Sequence, residues 1–189
     1  MFETWEELEQ SIVNCNRCKL CRTRQNIVFG VGNKEAKVMF IGEGPGQQED
    51  LTGIPFVGPA GQLLDKMLKA IDLTIDDVYI ANIVKCRPPN NRDPQEEEQE
   101  ACLNYLRYQL VLVKPKIIVC LGRIAGTAII SPTFRITKQR GQWIERKGYW
   151  ITSTFHPSAL LRDESKKRPA WEDFKSIKQK LMELGQNEV

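Results

Sequence analysis

Apolar residues recur along the chain in two rhythms. Val38 to Ile41, Val78 to Ala81 and Ile117 to Leu121 are unbroken apolar runs of strand length, as expected for strands buried on both faces. Each is followed by a stretch with helical spacing, such as the amphipathic segment that ends in "GQLLDKML". Trp5, Leu8 and Ile12 carry that spacing near the start of the chain. Trp171, Phe174, Ile177, Leu181 and Leu184 carry it near the end, predicting a closing helix with one apolar, core-facing stripe. "WIERKGYWITSTF" pairs two strand-like runs across Lys147 and Gly148. No internal repeat interrupts the series. Strand and helix in alternation predict an α/β fold with a mainly parallel sheet.

In open sheets of this kind ligands gather beyond the carboxyl ends of the strands. Three loops lie there: "GEGPG" after the first run, "NIVKCRPPNN" after the second, and "HPSALLR" after Phe155. The first could cradle a phosphate, because glycines let backbone amides approach an anion. It lacks the Gly-Lys-Ser/Thr ending of a P-loop, however, and Pro45 removes one amide. Gly42, Gly44, Gly46, Gly53, Gly58 and Gly61, with Phe56 among them, fit close approach to a flat ring better, or else simply turn a tight loop.

Composition places the chain without deciding its chemistry. Its 189 residues, 41% hydrophobic and 27% charged, are typical of one soluble domain, so residues 1–189 are expected to fold as a single unit. The first residues, "MFETWEELEQS", have no basic and apolar leader, and no stretch approaches the roughly 18 apolar residues of a membrane span. The expected location is the cytoplasm, away from membranes. Disulfides are rare there, so metal binding or burial has to explain six cysteines.

A net charge of +3 is too small to diagnose nucleic-acid binding, but its distribution is uneven. Nine basic residues between Arg135 and Arg168 face only three acids, which makes either a solvated surface or a polyanion-binding face. Acids concentrate instead at Asp93, Glu96, Glu97, Glu98 and Glu100, where they suit the first turns of a helix.

The cysteines fall into a pattern. Cys15 and Cys18 form a C-x2-C pair, and Cys86 and Cys102 have 15 residues between them, so four thiolates could converge on an iron–sulfur cluster or on zinc. Cys21 is a fifth candidate for a site that takes four. Cys120, inside "KIIVCLG", reads as a small buried hydrophobe.

Taken in order, "GEGPGQQED", "GIPFVGPAGQLL", "NIVKCRPPNNRDP" and "TFHPSALLR" resemble the successive motifs of the family 4 uracil-DNA glycosylases, the iron–sulfur branch of that superfamily. The resemblance covers most of the chain. It implies a three-layer α/β/α sandwich around a central, mainly parallel four-stranded sheet. It also implies flipping of uracil out of DNA and hydrolysis of the bond joining it to deoxyribose. The same resemblance assigns Cys15, Cys18, Cys86 and Cys102 to a [4Fe-4S] cluster that ties in the N-terminal segment, leaving Cys21 outside it.

The motifs also carry roles for side chains. Phe56 is expected to stack on the pyrimidine, Asn82 to pair with its N3–H and O4, and His156 to donate to its O2, while Glu43, Gly44 and Pro45 line the base. Asn82 taken alone could equally cap the segment after its strand. The best-known branch of the superfamily has aspartate at the position of Gly44 and tyrosine at that of Gly46, and neither side chain exists here. Glu43 is therefore the first candidate to orient the water, then Glu49, then Asn91; Glu49 is also placed to narrow the pocket against thymine. In "HPSALLR", Ser158 and Arg162 are expected on DNA phosphates, and Leu160 or Leu161 as a wedge into the vacated stack. The basic run becomes the DNA face.

The expected protein is a monomer acting on uracil-containing DNA at the nucleoid, with replication or repair proteins as possible partners. A variant that traps the abasic sugar through a histidine in a basic insert would need a second histidine, and the chain has one. Two other classes compete: a non-enzymatic iron–sulfur or zinc nucleic-acid module, and a nucleotide-dependent enzyme using "GEGPG" as a phosphate loop.

Overall fold

The three apolar runs lie side by side in one sheet, and each is sealed by helices above and below. In the computed structural model, whose described residues are 2–186, the helices are α1 (Trp5–Val13), α2 (Gln47–Thr52), α3 (Pro59–Lys69), α4 (Glu96–Val113), α5 (Gly122–Ile129), α6 (Ile136–Gln139), α7 (Pro157–Arg162) and α8 (Lys167–Gln186). The strands are β1 (Val31–Gly32), β2 (Val38–Gly42), β3 (Val78–Asn82), β4 (Ile117–Leu121), β5 (Ile144–Arg146) and β6 (Tyr149–Thr154).

Successive strand residues point to opposite faces, and the two core clusters follow that alternation. Met39, Ile41, Tyr79, Ala81, Ile118 and Cys120 pack against Leu8 and Ile12 of α1, Tyr105 and Leu106 of α4, and Ala125 of α5. Val38, Phe40, Val78, Ile80, Ile117 and Val119 pack against Leu64 and Leu68 of α3 and Phe174 and Ile177 of α8. The α/β/α layering is as expected. Trp171 departs from the predicted stripe: it turns outward, 38% exposed, with Lys175 over its ring.

The strand count corrects the expected four. The sheet has six strands in the order β1-β3-β2-β4-β6-β5. Strands β3, β2, β4 and β6 form the parallel centre, with β1 antiparallel on one edge and β5 on the other. The β5–β6 hairpin turns where Lys147 and Gly148 both take positive φ (52° and 81°), the geometry that suits a two-residue connection. Two-residue β1 is too short to show a period. Because the four central strands are parallel, Gly42, Asn82, Leu121 and Thr154 all end at the same edge.

Candidate active site

That edge opens into a cavity of about 680 Å³ lined by residues from all four strand ends. Phe56, Asn82 and His156 meet there, with Glu43, Gly44 and Pro45 along one wall. Close packing behind them depends on Gly42. A Cβ at that position would lie 2.4 Å from Asn82 Oδ1 and 2.8 Å from Phe56 Cζ. Phe56 itself has a φ of 57°, a conformation that needs support from its surroundings, and its ring centroid lies 5.9 Å from that of His156.

Asn82 is 2% exposed, and its Oδ1 has no hydrogen-bond partner among the described residues. Buried polar atoms are normally paired, so an orphaned oxygen on a side chain that lines a cavity is a place for a ligand to complete. No cap hydrogen bond of the expected alternative kind accounts for that oxygen.

His156 is the N-cap of α7, with Pro157 at the first helical position. The Ser158 backbone N–H donates to His156 Nδ1 at 3.2 Å, and Ser158 Oγ lies 2.8 Å from the same nitrogen. An amide can only donate, so Nδ1 accepts, and in the neutral ring the proton resides on Nε2. Burial, assisted by the Arg162 charge, pushes the imidazole down to about 4, so it is neutral at physiological pH. The ring thus offers an Nε2–H donor. Ser158, expected on a DNA phosphate, lines the cavity with its hydroxyl against His156.

The carboxylates divide sharply. Glu49 is buried, with Oε1 accepting the Gly58 N–H at 2.8 Å and Oε2 the Gly46 N–H at 3.0 Å. It clamps the start of α2 to the start of α3. Asn91 is exposed at the rim, where Oδ1 accepts from Arg87 Nε at 2.7 Å. Glu43 has a different environment: burial and the adjacent Asp93 push its carboxyl up to about 7, against the opposing charges of Arg123 and Arg162. A carboxyl balanced near neutrality is suited to exchange a proton with water. Asp93, expected among the acids of a helix start, lies ahead of α4 in this wall, paired with Arg123.

The loop "HPSALLR" becomes helix α7, and its phase corrects one assignment. Leu160 is 1% exposed and packs with Phe155 and Ala170, so it is unavailable as a wedge; Leu161, 51% exposed, points outward. Arg162 and Lys166 reach the cavity rim. Part of the basic run serves the protein itself, since Arg140 pairs with Asp173 and Arg146 donates to the Ile129 and Ile130 carbonyls.

A second, much smaller cavity of about 10 Å³ lies nearby. Cys15, Cys18, Cys86 and Cys102 all line it, and so does Cys21, together with Arg24 and Lys85. No three of the described side chains are gathered tightly enough to form a finished metal site. The donor chemistry nonetheless fits a thiolate-bound group. Arg24 Nη1 donates to Cys86 Sγ at 3.4 Å and the Lys85 N–H to Cys102 Sγ at 3.3 Å, contacts that favour thiolate. Burial raises the Cys18 and Cys86 thiols and pushes Cys102 up to about 11, so a cation is needed to ionise them together. Cys120 is fully buried elsewhere, as expected, and burial pushes its thiol up to about 12.

Sequence reasoning did not place Asp93 and Arg123 in the wall of the large cavity, nor Lys85 beside the cysteines with Gln109 bonded to it. Arg123 had a usable signal, as it stands two residues beyond the end of β4.

The fold agrees with the family to which comparison with known proteins assigns the chain. The model of the uracil DNA glycosylase superfamily matches residues 29–175, and the chain belongs to that superfamily. It is 43% identical over 184 residues to the type-4 uracil-DNA glycosylase of Archaeoglobus fulgidus, covering 93% of this chain and 92% of the relative. It is 42% identical over 187 residues to the type-4 uracil-DNA glycosylase of Thermotoga maritima, covering 97% of each. A type-5 uracil-DNA glycosylase of Pyrobaculum aerophilum is more distant, 30% identical with 82% of this chain and 83% of the relative covered.

Proposed function

We propose that this protein removes uracil, the deamination product of cytosine, from DNA and leaves an abasic site. A duplex shields the glycosidic bond, so the nucleotide must first turn out of the stack. One conjunction carries the reading: a cavity bordered by an aromatic ring, a buried carboxamide with an unpartnered oxygen, and a neutral imidazole with a free N–H.

Each group answers one feature of the reaction. Phe56 stacks on the pyrimidine. The Asn82 carboxamide accepts from uracil N3–H and donates to O4, a pattern that cytosine reverses. When the bond between N1 and C1′ breaks, its electron pair stays on uracil and charge builds at O2. His156 Nε2–H stabilises that charge most strongly in the transition state. The sugar becomes cationic. Glu43, as carboxylate, offsets the cation and orients the water whose oxygen bonds to C1′; the water's proton passes to Glu43, and the uracil anion leaves to be protonated by solvent.

Cys15, Cys18, Cys86 and Cys102 are the residues that would hold a [4Fe-4S] cluster. When bound, the cluster supplies a rigid tie, because glycosidic hydrolysis transfers no electrons. It would join the N-terminal segment to the loop after β3 and to α4, making residues 1–189 one functional domain. Arg162, Lys166 and neighbouring basic residues meet DNA phosphates, with Leu161 in place of Leu160 as the wedge. No helix of the described residues is long and apolar enough to cross a membrane. The protein acts as a monomer on nucleoid DNA in the cytoplasm, where replication or repair proteins are its partners.

The test is product analysis. With uracil opposite guanine, opposite adenine and in single strands, the protein should release free uracil and leave alkali-labile strands, without releasing thymine or cytosine. Tight DNA binding without release would favour a non-enzymatic module, and binding of ATP or NAD with intact DNA would favour a phosphate loop.

A further inference from the structure

Lys85 lies between the two cavities. Its side chain is wholly buried, and Nζ donates to the Asn82 backbone carbonyl at 2.9 Å and to Gln109 Oε1 at 2.6 Å. Gln109 is itself held, its Nε2 donating to the Phe29 carbonyl at 2.9 Å and to Tyr79 Oη at 3.2 Å. The Lys85 backbone N–H donates to Cys102 Sγ. Between them, the Ile83 N–H donates to the Gly42 carbonyl and the Val84 N–H to the Glu43 carbonyl. The short segment from Asn82 to Lys85 is therefore fastened to the base-pocket wall on one side and to the cysteine cavity on the other.

Burying a lysine is a costly way to satisfy one carbonyl and one carboxamide oxygen, since its ammonium loses water and its long chain loses freedom. Stability alone does not call for it. The carbonyl it satisfies belongs to the pocket-lining residue whose carboxamide oxygen is unpartnered. Asn82 also ends β3, and beyond it the Ile83 and Val84 N–H bonds hold only the main chain, leaving the Asn82 carbonyl to Lys85.

We infer that Lys85 is a positioning residue for base recognition: by holding the Asn82 main chain it sets the direction of the Asn82 carboxamide, and by its tie to Cys102 it couples that direction to the cysteine cavity. This rests on the reading of Asn82 as the group that pairs with uracil. The coupling gives the cysteine site a consequence for specificity as well as for stability. Small errors of placement are costly at such a site, because a shift of about 1 Å can cost on the order of 10²-fold in rate.

Lys85→Met removes the donors with little change of volume but leaves Gln109 Oε1 without a partner. Lys85→Met/Gln109→Leu replaces both ends of that bond with apolar groups, which restores much of the stability. Each variant is measured with iron content and melting temperature, and rates are normalised to the folded fraction. Base preference is read as the ratio of affinities for the same DNA carrying 2′-fluoro-2′-deoxyuridine or 2′-fluoro-2′-deoxycytidine, which resist cleavage. The expected result in both variants is a roughly 10- to 100-fold slower single-turnover excision and a base preference reduced by a similar factor, with affinity for undamaged DNA retained. Gln109→Leu alone, which spares the Lys85 to Asn82 bond, should keep the preference.

A folded double variant with wild-type preference would overturn the inference, as would a loss of rate with the preference intact. Failure of both Lys85 variants to fold would overturn it too, by showing the lysine to be structural. If Asn82→Ala itself left uracil excision unchanged, the underlying reading of Asn82 would be at fault instead.

Discussion

The base cavity and the cysteine cavity are separated by three residues of chain, Asn82 lining one and Cys86 the other, yet they treat buried polar groups in opposite ways. In the base cavity of about 680 Å³, Asn82 Oδ1 has no partner among the described residues and His156 keeps a free N–H. The cysteine cavity has about 10 Å³ and little room to admit anything, but Arg24 and Lys85 already direct N–H groups at two of its sulfurs. Open space with unmet hydrogen bonds suits a ligand that enters and leaves. A closed site with donors trained on sulfur suits a group that stays. Burial drives both, holding His156 and Glu43 near neutrality in the first and raising thiols in the second.

Breaking the base cavity should cost catalysis more than stability. His156→Leu removes the donor to O2, and single-turnover excision should fall by roughly 10²–10³-fold. The missing N-cap should cost only about 1 kcal/mol in denaturant melts. A rate within a few-fold of wild type would remove His156 from the chemistry.

Glu43→Gln sharpens the same side through pH. If the carboxylate is the working form, the wild-type rate should climb as pH rises through about 7. The glutamine variant should lack that limb and run roughly 10- to 100-fold slower above it. The stability effect has the opposite sign. A raised carboxyl pKa means that stability is lost as pH climbs from the ordinary carboxylate range to about 7, so the variant should melt higher than wild type in alkaline buffer.

The cysteine cavity should respond in the reverse order. Wild-type protein purified without oxygen should be brown with about four irons; Cys86→Ala should lose the colour and melt earlier, while Cys21→Ala keeps both. A colourless protein with one zinc would contradict the cluster assignment. The smallest effect belongs to the rim. Neutralising Arg162, Lys166 and Lys167 should weaken normal and uracil-containing DNA alike, flattening the dependence of log K on log salt by roughly 0.9 for each phosphate the protein no longer neutralises. An unchanged slope would move the DNA face elsewhere.

Much of this is legible in the sequence where burial is two-sided. Strands β2, β3 and β4 are continuous apolar runs, and Lys147 with Gly148 marks the hairpin. Strand β1 is not legible, because two residues carry no rhythm. At the site, strand-end logic finds the loops after β2, β3 and β6 but passes over the fourth end, and with it Arg123 and its partner Asp93. Leu160 is misassigned when "HPSALLR" is treated as a loop; once it is helical, neighbouring leucines turn about 100° apart and only one of them meets the core. The contact between Ser158 and His156 is not legible either, because it belongs to a cap that only the helix creates. Lys85 cannot be read at all, since its inward direction depends on Gln109, 24 residues away.

Asn82 offers the most direct measurement. Single-turnover excision by Asn82→Ala, followed alongside melting temperature and iron content, separates a base reader from a structural cap. Leaving N3–H and O4 unmatched in a dry pocket costs roughly 1–3 kcal/mol for each group, so excision should fall by about 10²–10⁴-fold while folding and iron remain at wild-type levels. Asn82→Asp, which can match the cytosine edge when protonated, should add weak cytosine release to the same loss. The contrary result is an Asn82→Ala protein that melts earlier yet excises uracil at nearly the wild-type rate.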